Sequence, residues 1–204
     1  MDEMMKLLIV NMQTGDEAAF DRLYHTYAGK LYRTAYLISG NKEDSEDILQ
    51  DTFVKCFLHR SEIKDPECFE KWLMKIMVRT TWRIIRQRKT VSSEELLQKE
   101  EYATLVQAVS ADRQTPGPLE QIMEKELQSI LMEAVNSLDV KLRTVIVLYY
   151  YQELSVKEIA DLSGSLEGTV KSRLHTARKR LKKRLERMDG LKYEKRRTAD
   201  EQTA

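Results

Sequence analysis

Two cysteines among 204 residues make no disulfide framework, which fits a reducing cytoplasm. Three prolines and seven glycines give too little turn punctuation for a many-stranded β fold. The longest strongly apolar run, Val145 to Tyr151, is far too short to span a bilayer. The N-terminus carries Asp2 and Glu3 ahead of a short apolar stretch, not the basic start of a signal peptide. A Gly-x-Ser-x-Gly elbow, a P-loop and a His-Glu-x-x-His pair are all missing. Cys56, His59 and Cys68 lack a fourth metal ligand, and Cys56 falls on an expected core face. The expectation is therefore a cytoplasmic chain that is not an enzyme and carries no metal or cofactor.

Charge is plentiful, at 33% of residues, and a hydrophobic content of 42% is enough for real cores. The net charge of +1 conceals an asymmetry. Residues 171–197 hold 13 Lys+Arg and 3 Asp+Glu, a net +10, which leaves −9 for the rest. Residues 71–89 carry seven basic residues and no acid, and residues 43–51 carry five acids and no base. Two basic stripes and one acidic stripe suit polyanion contacts and a separate protein contact; three solvated helix faces would look alike on charge alone.

Helical periodicity runs from about Leu7 to Lys89, broken near Gly40-Asn41 and Asp65-Pro66. Residues 90–118 are polar, net acidic and end in Thr115-Pro116-Gly117-Pro118, too long a stretch for a loop within one compact domain. The fold class expected is all-α: two small helical domains, 8–89 and 119–187, joined by a flexible linker at 90–118. Residues 188–204 are expected to form a disordered tail.

The second domain holds a helix-turn-helix pattern. Ser155-Val156-Lys157-Glu158 has capping-box spacing, Gly164 supplies a tight turn and Ser165 can cap the next helix. Leu166, Val170, Leu174, Ala177, Leu181 and Leu185 fall within about 100° on a helical wheel and should face the core. Gly168, Lys171, Ser172, His175, Thr176 and Lys179 occupy the other face, the residue types that reach phosphates and base edges. A glycine near a helix start costs about 1 kcal/mol against alanine, yet suits close approach of the backbone to DNA.

In the first domain, the helix from Phe69 should bury Phe69, Leu73, Ile76, Met77, Thr80 and Ile84. Lys71, Lys75, Arg79, Arg83 and Arg86 spread over its other side with Trp82, and Trp72 lies at the border. Aromatics among cations form a stacking platform for single-stranded nucleic acid, although Trp82 packed on a neighbouring helix would give the same pattern. In the helix over Asp44 to Leu58, Leu49, Phe53, Cys56 and Phe57 should face the core. Asp44, Asp47, Asp51 and Lys55 should point away, with Ile48, Val54 and Leu58 among or beside them. Apolar groups among outward carboxylates suggest protein docking, and a helix buried on two sides would look the same.

These segments resemble, in order, a known family. Gly15-Asp16-Glu17-Ala18-Ala19-Phe20, Glu43 to Phe53, Phe69-x-x-Trp72-Leu73, Gly168-Thr169-Val170-Lys171-Ser172-Arg173-Leu174 and Ala177-Arg178 are similar to the extracytoplasmic-function (ECF) subclass of sigma-70 sigma factors. The resemblance implies that Asp47, Gln50, Asp51 and Phe53 bind RNA polymerase core. It implies that residues 59–68 hold a base flipped from the −10 element, and that Lys71, Lys75, Arg79, Trp82, Arg83 and Arg86 follow the single strand. It assigns Gly168, Thr169, Lys171, Ser172, Arg173, His175, Thr176, Arg178 and Lys179 to the double-stranded −35 element, and routes the acidic linker toward the RNA exit path. An anti-sigma factor, commonly membrane-anchored in the family, is the implied regulator, in a stress or envelope response, of a chain expected to be monomeric when free. A two-domain activator with a sensor domain is the rival reading, but a sensor has no need of a basic, Trp-bearing helix face.

Overall fold

The computed structural model describes residues 2–91 and 129–201, with side chains as far as 88 in the first stretch and 187 in the second. Beyond Val91 the expected linker lies outside the described residues, as does the expected start of the second domain at 119–128. Every regular element among the described residues is helical. The chain divides into two compact units, Met1–Glu95 with Val147–Val170 and Leu96–Ile146 with Lys171–Ala204. This division takes Val147–Val170, part of the expected 119–187 domain, into the first unit.

In the first unit, α1 (Glu3–Gln13) starts earlier than periodicity implied, because the Asp2 carboxylate accepts the Met4 N–H and caps it. The chain turns at Gly15, whose φ of 97° only glycine adopts without strain. Asp16 then caps α2 (Glu17–Ser39) by accepting the Ala18 and Ala19 N–H groups. Gly40 ends α2 at φ 74°, and Asn41 caps α3 (Lys42–Leu58). Two short 3₁₀ turns, Arg60–Glu62 and Pro66–Cys68, lead into α4 (Phe69–Val91).

Burial along α3 departs from the expected face. Ile48, placed outward by the sequence, is 0% exposed, and Asp44, Ser45, Thr52, Phe53 and Cys56 are buried. Leu49 is half-buried and Phe57 is exposed. The reason is that α3 packs against both α2 and α4, so its buried surface is wider than one stripe. Asp44 is tolerated inside because Arg88 of α4 reaches its carboxylate at 3.0 Å. On α4, Phe69, Leu73, Met77 and Thr80 are buried as expected; Met74, Val78 and Thr81 join them, and Ile76 and Ile84 are half-buried.

In the second unit, residues 129–136 form α5, followed by α6 (Val140–Ile146). The Arg143 guanidinium donates to the carbonyls of Asn136 (2.6 Å) and Leu138 (3.0 Å), closing the turn between them. Returning to the first unit, Val147–Tyr151 is a π-helical turn, followed by α7 (Val156–Ser163). The final helix, α8 (Glu167–Glu201), begins in the first unit and continues in the second. It remains helical through Glu201, where a disordered tail from 188 was expected. The run of Lys, Arg, Glu and Leu after 178 is made of strong helix formers, and pairs such as Lys182–Glu186 (3.8 Å) sit at helical spacing.

Candidate docking and nucleic-acid interfaces

Between α2 and α3 lies an open groove of about 590 Å³. Phe20 and Tyr24 line it from α2, Leu49, Phe53, Val54, Phe57 and Leu58 from α3, and Glu46 and Gln50 add polar groups. An aromatic cluster lines it, with Phe20–Phe57 edge-to-face at 5.4 Å and Tyr24–Phe53 tilted at 4.6 Å between centroids. Val54 and Leu58 remain 49% and 64% exposed, so the wall is apolar surface in contact with water. Of the expected docking residues, Gln50 and Phe53 line the groove and Asp47 is exposed beside it on α3. Asp51 lies elsewhere: its carboxylate is paired with the Arg83 guanidinium of α4.

That pair brings together residues expected to serve two separate surfaces. Lys55, one turn after Asp51, donates to the Thr80 hydroxyl at 2.8 Å across the same seam. Burial and the nearby Arg83 push the Lys55 ammonium below its usual range, and Asp51 partly offsets them. Lys71, Arg79, Arg83 and Arg86 are exposed on α4, Lys75 and Trp82 are half-buried, and Trp72 stacks obliquely on Phe69 at 6.1 Å. Lys71 is paired at 2.8 Å with Glu158 of α7, in the same compact unit. That ammonium, followed by the Ser155 N–H and hydroxyl, holds the Glu158 carboxyl down at about 2.

The segment between α3 and α4 is not free-standing. Arg60 lies 4.2 Å over the Phe57 ring and donates to the Phe57 carbonyl, and Ile63 is buried. Ser61, Glu62, Lys64, Asp65, Glu67 and Cys68 remain exposed along it.

At the other end of the chain, Ser155 and Glu158 form both halves of a capping box on α7. Gly164 ends α7 at φ 61°, its N–H donating to the Ala160 carbonyl, and α8 follows. Val170, Leu174 and Ala177 are buried and Leu181 and Leu185 half-buried, but Leu166 is 80% exposed. Leu166 precedes the first turn of α8 and its carbonyl accepts the Thr169 and Val170 N–H groups, so it stands outside the helical stripe that the wheel assumed. Gly168, Lys171, Ser172, His175, Arg178 and Lys179 are exposed; Thr169, Arg173 and Thr176 are half-buried. No side chain meets the space a Cβ on Gly168 would fill, so nothing packed against it demands a glycine.

The sequence reading missed the groove's α2 wall, the Asp51–Arg83 joint and the contacts of α1 with the 59–68 segment. Only the groove left a signal, the aromatic pair Phe20 and Tyr24 one turn apart.

Helical units of this kind, with an apolar groove on an acidic helix and two basic helices, have counterparts of known class. The model of sigma-70 region 2 matches residues 23–91, and that of sigma-70 region 4 matches residues 128–181. The ECF RNA polymerase sigma factor SigW of Bacillus subtilis is 32% identical over 91% of this chain and 98% of its own. The ECF RNA polymerase sigma factor SigE of Mycolicibacterium smegmatis is 33% identical over 83% of this chain and 63% of its own. Among solved structures, CnrH in complex with the cytosolic domain of CnrY shares the fold at a TM-score of 0.59 and 22% identity, covering 89% of this chain and 96% of CnrH. The sigma factor RpoE of Bartonella quintana, in complex with the anti-sigma factor NepR, gives the same score and identity over 82% of this chain and 96% of its own. The chain belongs to the sigma-70 family of RNA polymerase sigma factors. Within that family it is of the ECF class, a factor for promoter-specific transcription initiation.

Proposed function

We propose that each stage of initiation is carried by a separate helix of this chain. The observation that carries this reading is the pairing of an exposed apolar groove on acidic α3 with exposed basic faces on α4 and α8. Asp47, Gln50 and Phe53, with Asp51 at the α3–α4 seam, dock on the polymerase core. Apolar groups in the groove supply area and the carboxylates supply orientation toward a basic partner. Lys71, Lys75, Arg79, Arg83 and Arg86 track the phosphates of the opened −10 strand, and Trp82 offers a ring for base stacking. The exposed segment 59–68 receives a flipped base.

Gly168, Thr169, Lys171, Ser172, Arg173, His175, Thr176, Arg178 and Lys179 address the −35 duplex, the basic ones by phosphate contact and the hydroxyl and imidazole groups by base edges. Opening duplex costs about 1–2 kcal/mol per base-pair step, so capture of unpaired bases must offset it. Two modest DNA sites joined through residues 90–118 gain from effective concentration once polymerase fixes their spacing. In this reading the chain works in the cytoplasm as a monomer, without enzymatic activity of its own, and is held by an anti-sigma factor. The complex of RpoE with the anti-sigma factor NepR supports that last point.

The test is run-off transcription on sheared host DNA with purified polymerase core, with and without this protein. Discrete transcripts that depend on the protein are expected, and their start sites give both promoter elements. Output that rises only when a housekeeping sigma factor is also present would mean a conventional activator instead.

A further inference from the structure

The segment 59–68 is built on two short 3₁₀ turns that leave some backbone carbonyls without an intrahelical partner, and these need donors wherever water is excluded. Gln13, 47 and 50 residues away, supplies one to each of two carbonyls: its Nε2 donates to Ile63 O at 2.6 Å and to Arg60 O at 3.3 Å, the latter also accepting the Ile63 N–H at 3.4 Å. One amide nitrogen carries two hydrogens, so a single side chain can serve both carbonyls. Both partners are acceptors, and this fixes which end of the Gln13 amide faces the segment.

Two turns earlier on the same face of α1, Lys6 reaches Glu67 of this segment at 2.9 Å. The buried Ile63 side chain pins the middle, while Lys64 and Asp65 stay exposed. Gly15 turns the chain two residues after Gln13, and the Arg60 guanidinium lies 4.0 Å from where a Cβ on Gly15 would be. The region 2 match begins at residue 23, so it assigns α1 nothing.

We propose that Gln13 is a positioning residue, whose amide clamps the Arg60 and Ile63 carbonyls and thereby sets the shape of the segment that receives the flipped base. This rests on the reading of residues 59–68 given above. Gln13→Glu keeps the shape but sets a carboxylate against two carbonyls. Gln13→Lys keeps a donor.

The experiment uses holoenzyme reconstituted with host core on a promoter mapped by run-off transcription, and on variants substituted at each −10 position. Core affinity, thermal unfolding and permanganate reactivity of thymines near the start site are measured for each protein. Gln13→Glu is expected to lower opening about tenfold and to flatten the preference among the −10 variants, with core affinity unchanged and the thermal midpoint lowered only modestly. Gln13→Lys should retain most of both. If Gln13→Glu fails to fold, Gln13→Leu, which removes the donors without adding charge, carries the same comparison.

Wild-type opening and preference in the donor-less variants would overturn the proposal, as would a loss of core affinity in step with opening. If the wild-type protein itself shows no preference among the −10 variants, the reading of the segment fails, and the clamp's proposed role fails with it.

Discussion

Cys56 is 1% exposed on the buried side of α3, and burial pushes its thiol up to about 12. Cys68 is exposed, yet its thiol is also raised, first by its hydrogen bond to Asp65 at 3.5 Å and then by that carboxylate's charge. A thiol reacts through its thiolate, so a raised value lowers the reactive fraction at any given pH. In the native protein, a disulfide reagent at pH 8 should label Cys68 slowly and leave Cys56 untouched until unfolding. Asp65→Ala should speed Cys68 labelling, and equal rates in the two proteins would show that Asp65 does not control the thiol. Cys56's burial could be read from its place on the α3 wheel. The tuning of Cys68 could not, because it depends on the 3₁₀ turn that folds the sulfur back toward Asp65.

At the scale of the element, α3 shows how far periodicity reaches. Its existence, its acidic face and its apolar content were legible in the pattern, and the caps that bound it follow from Asn41 and the flanking Gly40. Which apolar residues were core was not legible. Ile48 and Leu49 are adjacent and equally apolar, and only the positions of α2 and α4 decide that one is buried and the other faces the groove. The same limit applied to Asp44, which lies inside only because Arg88 of a later helix meets it. Ile48→Ala should cost about 2–5 kcal/mol in chemical unfolding, since it empties a filled site. Val54→Asp, on the groove wall, should change stability by less than about 0.5 kcal/mol yet weaken binding to polymerase core. Matching losses in both properties for Val54→Asp would remove the groove from the docking surface.

For the whole molecule, the charge division seen in the sequence has a direct physical consequence. Under the proposed −35 contact, the net +10 over residues 171–197 would make DNA affinity depend on counterion release. With holoenzyme on promoter duplex, Lys171→Ala should weaken binding at every sequence and reduce the slope of log affinity against log salt by about 1. Ser172 or His175 substitutions should alter −35 preference at nearly constant slope, and a uniform loss would reassign both to phosphates. The order of motifs along the chain made the family legible. The service of α1 to residues 59–68 was not, because a glutamine at a helix end carries no signal of the carbonyls it will find 50 residues on. At about 1.5 Å per residue, the 35 residues of α8 make a rod of about 52 Å, against a major groove about 12 Å wide. A helix that reads bases with its first turns must leave the groove soon afterwards. On the proposed reading, its remaining length would act as a lever arm, on which a small force at the far end exerts a large torque on the reading end.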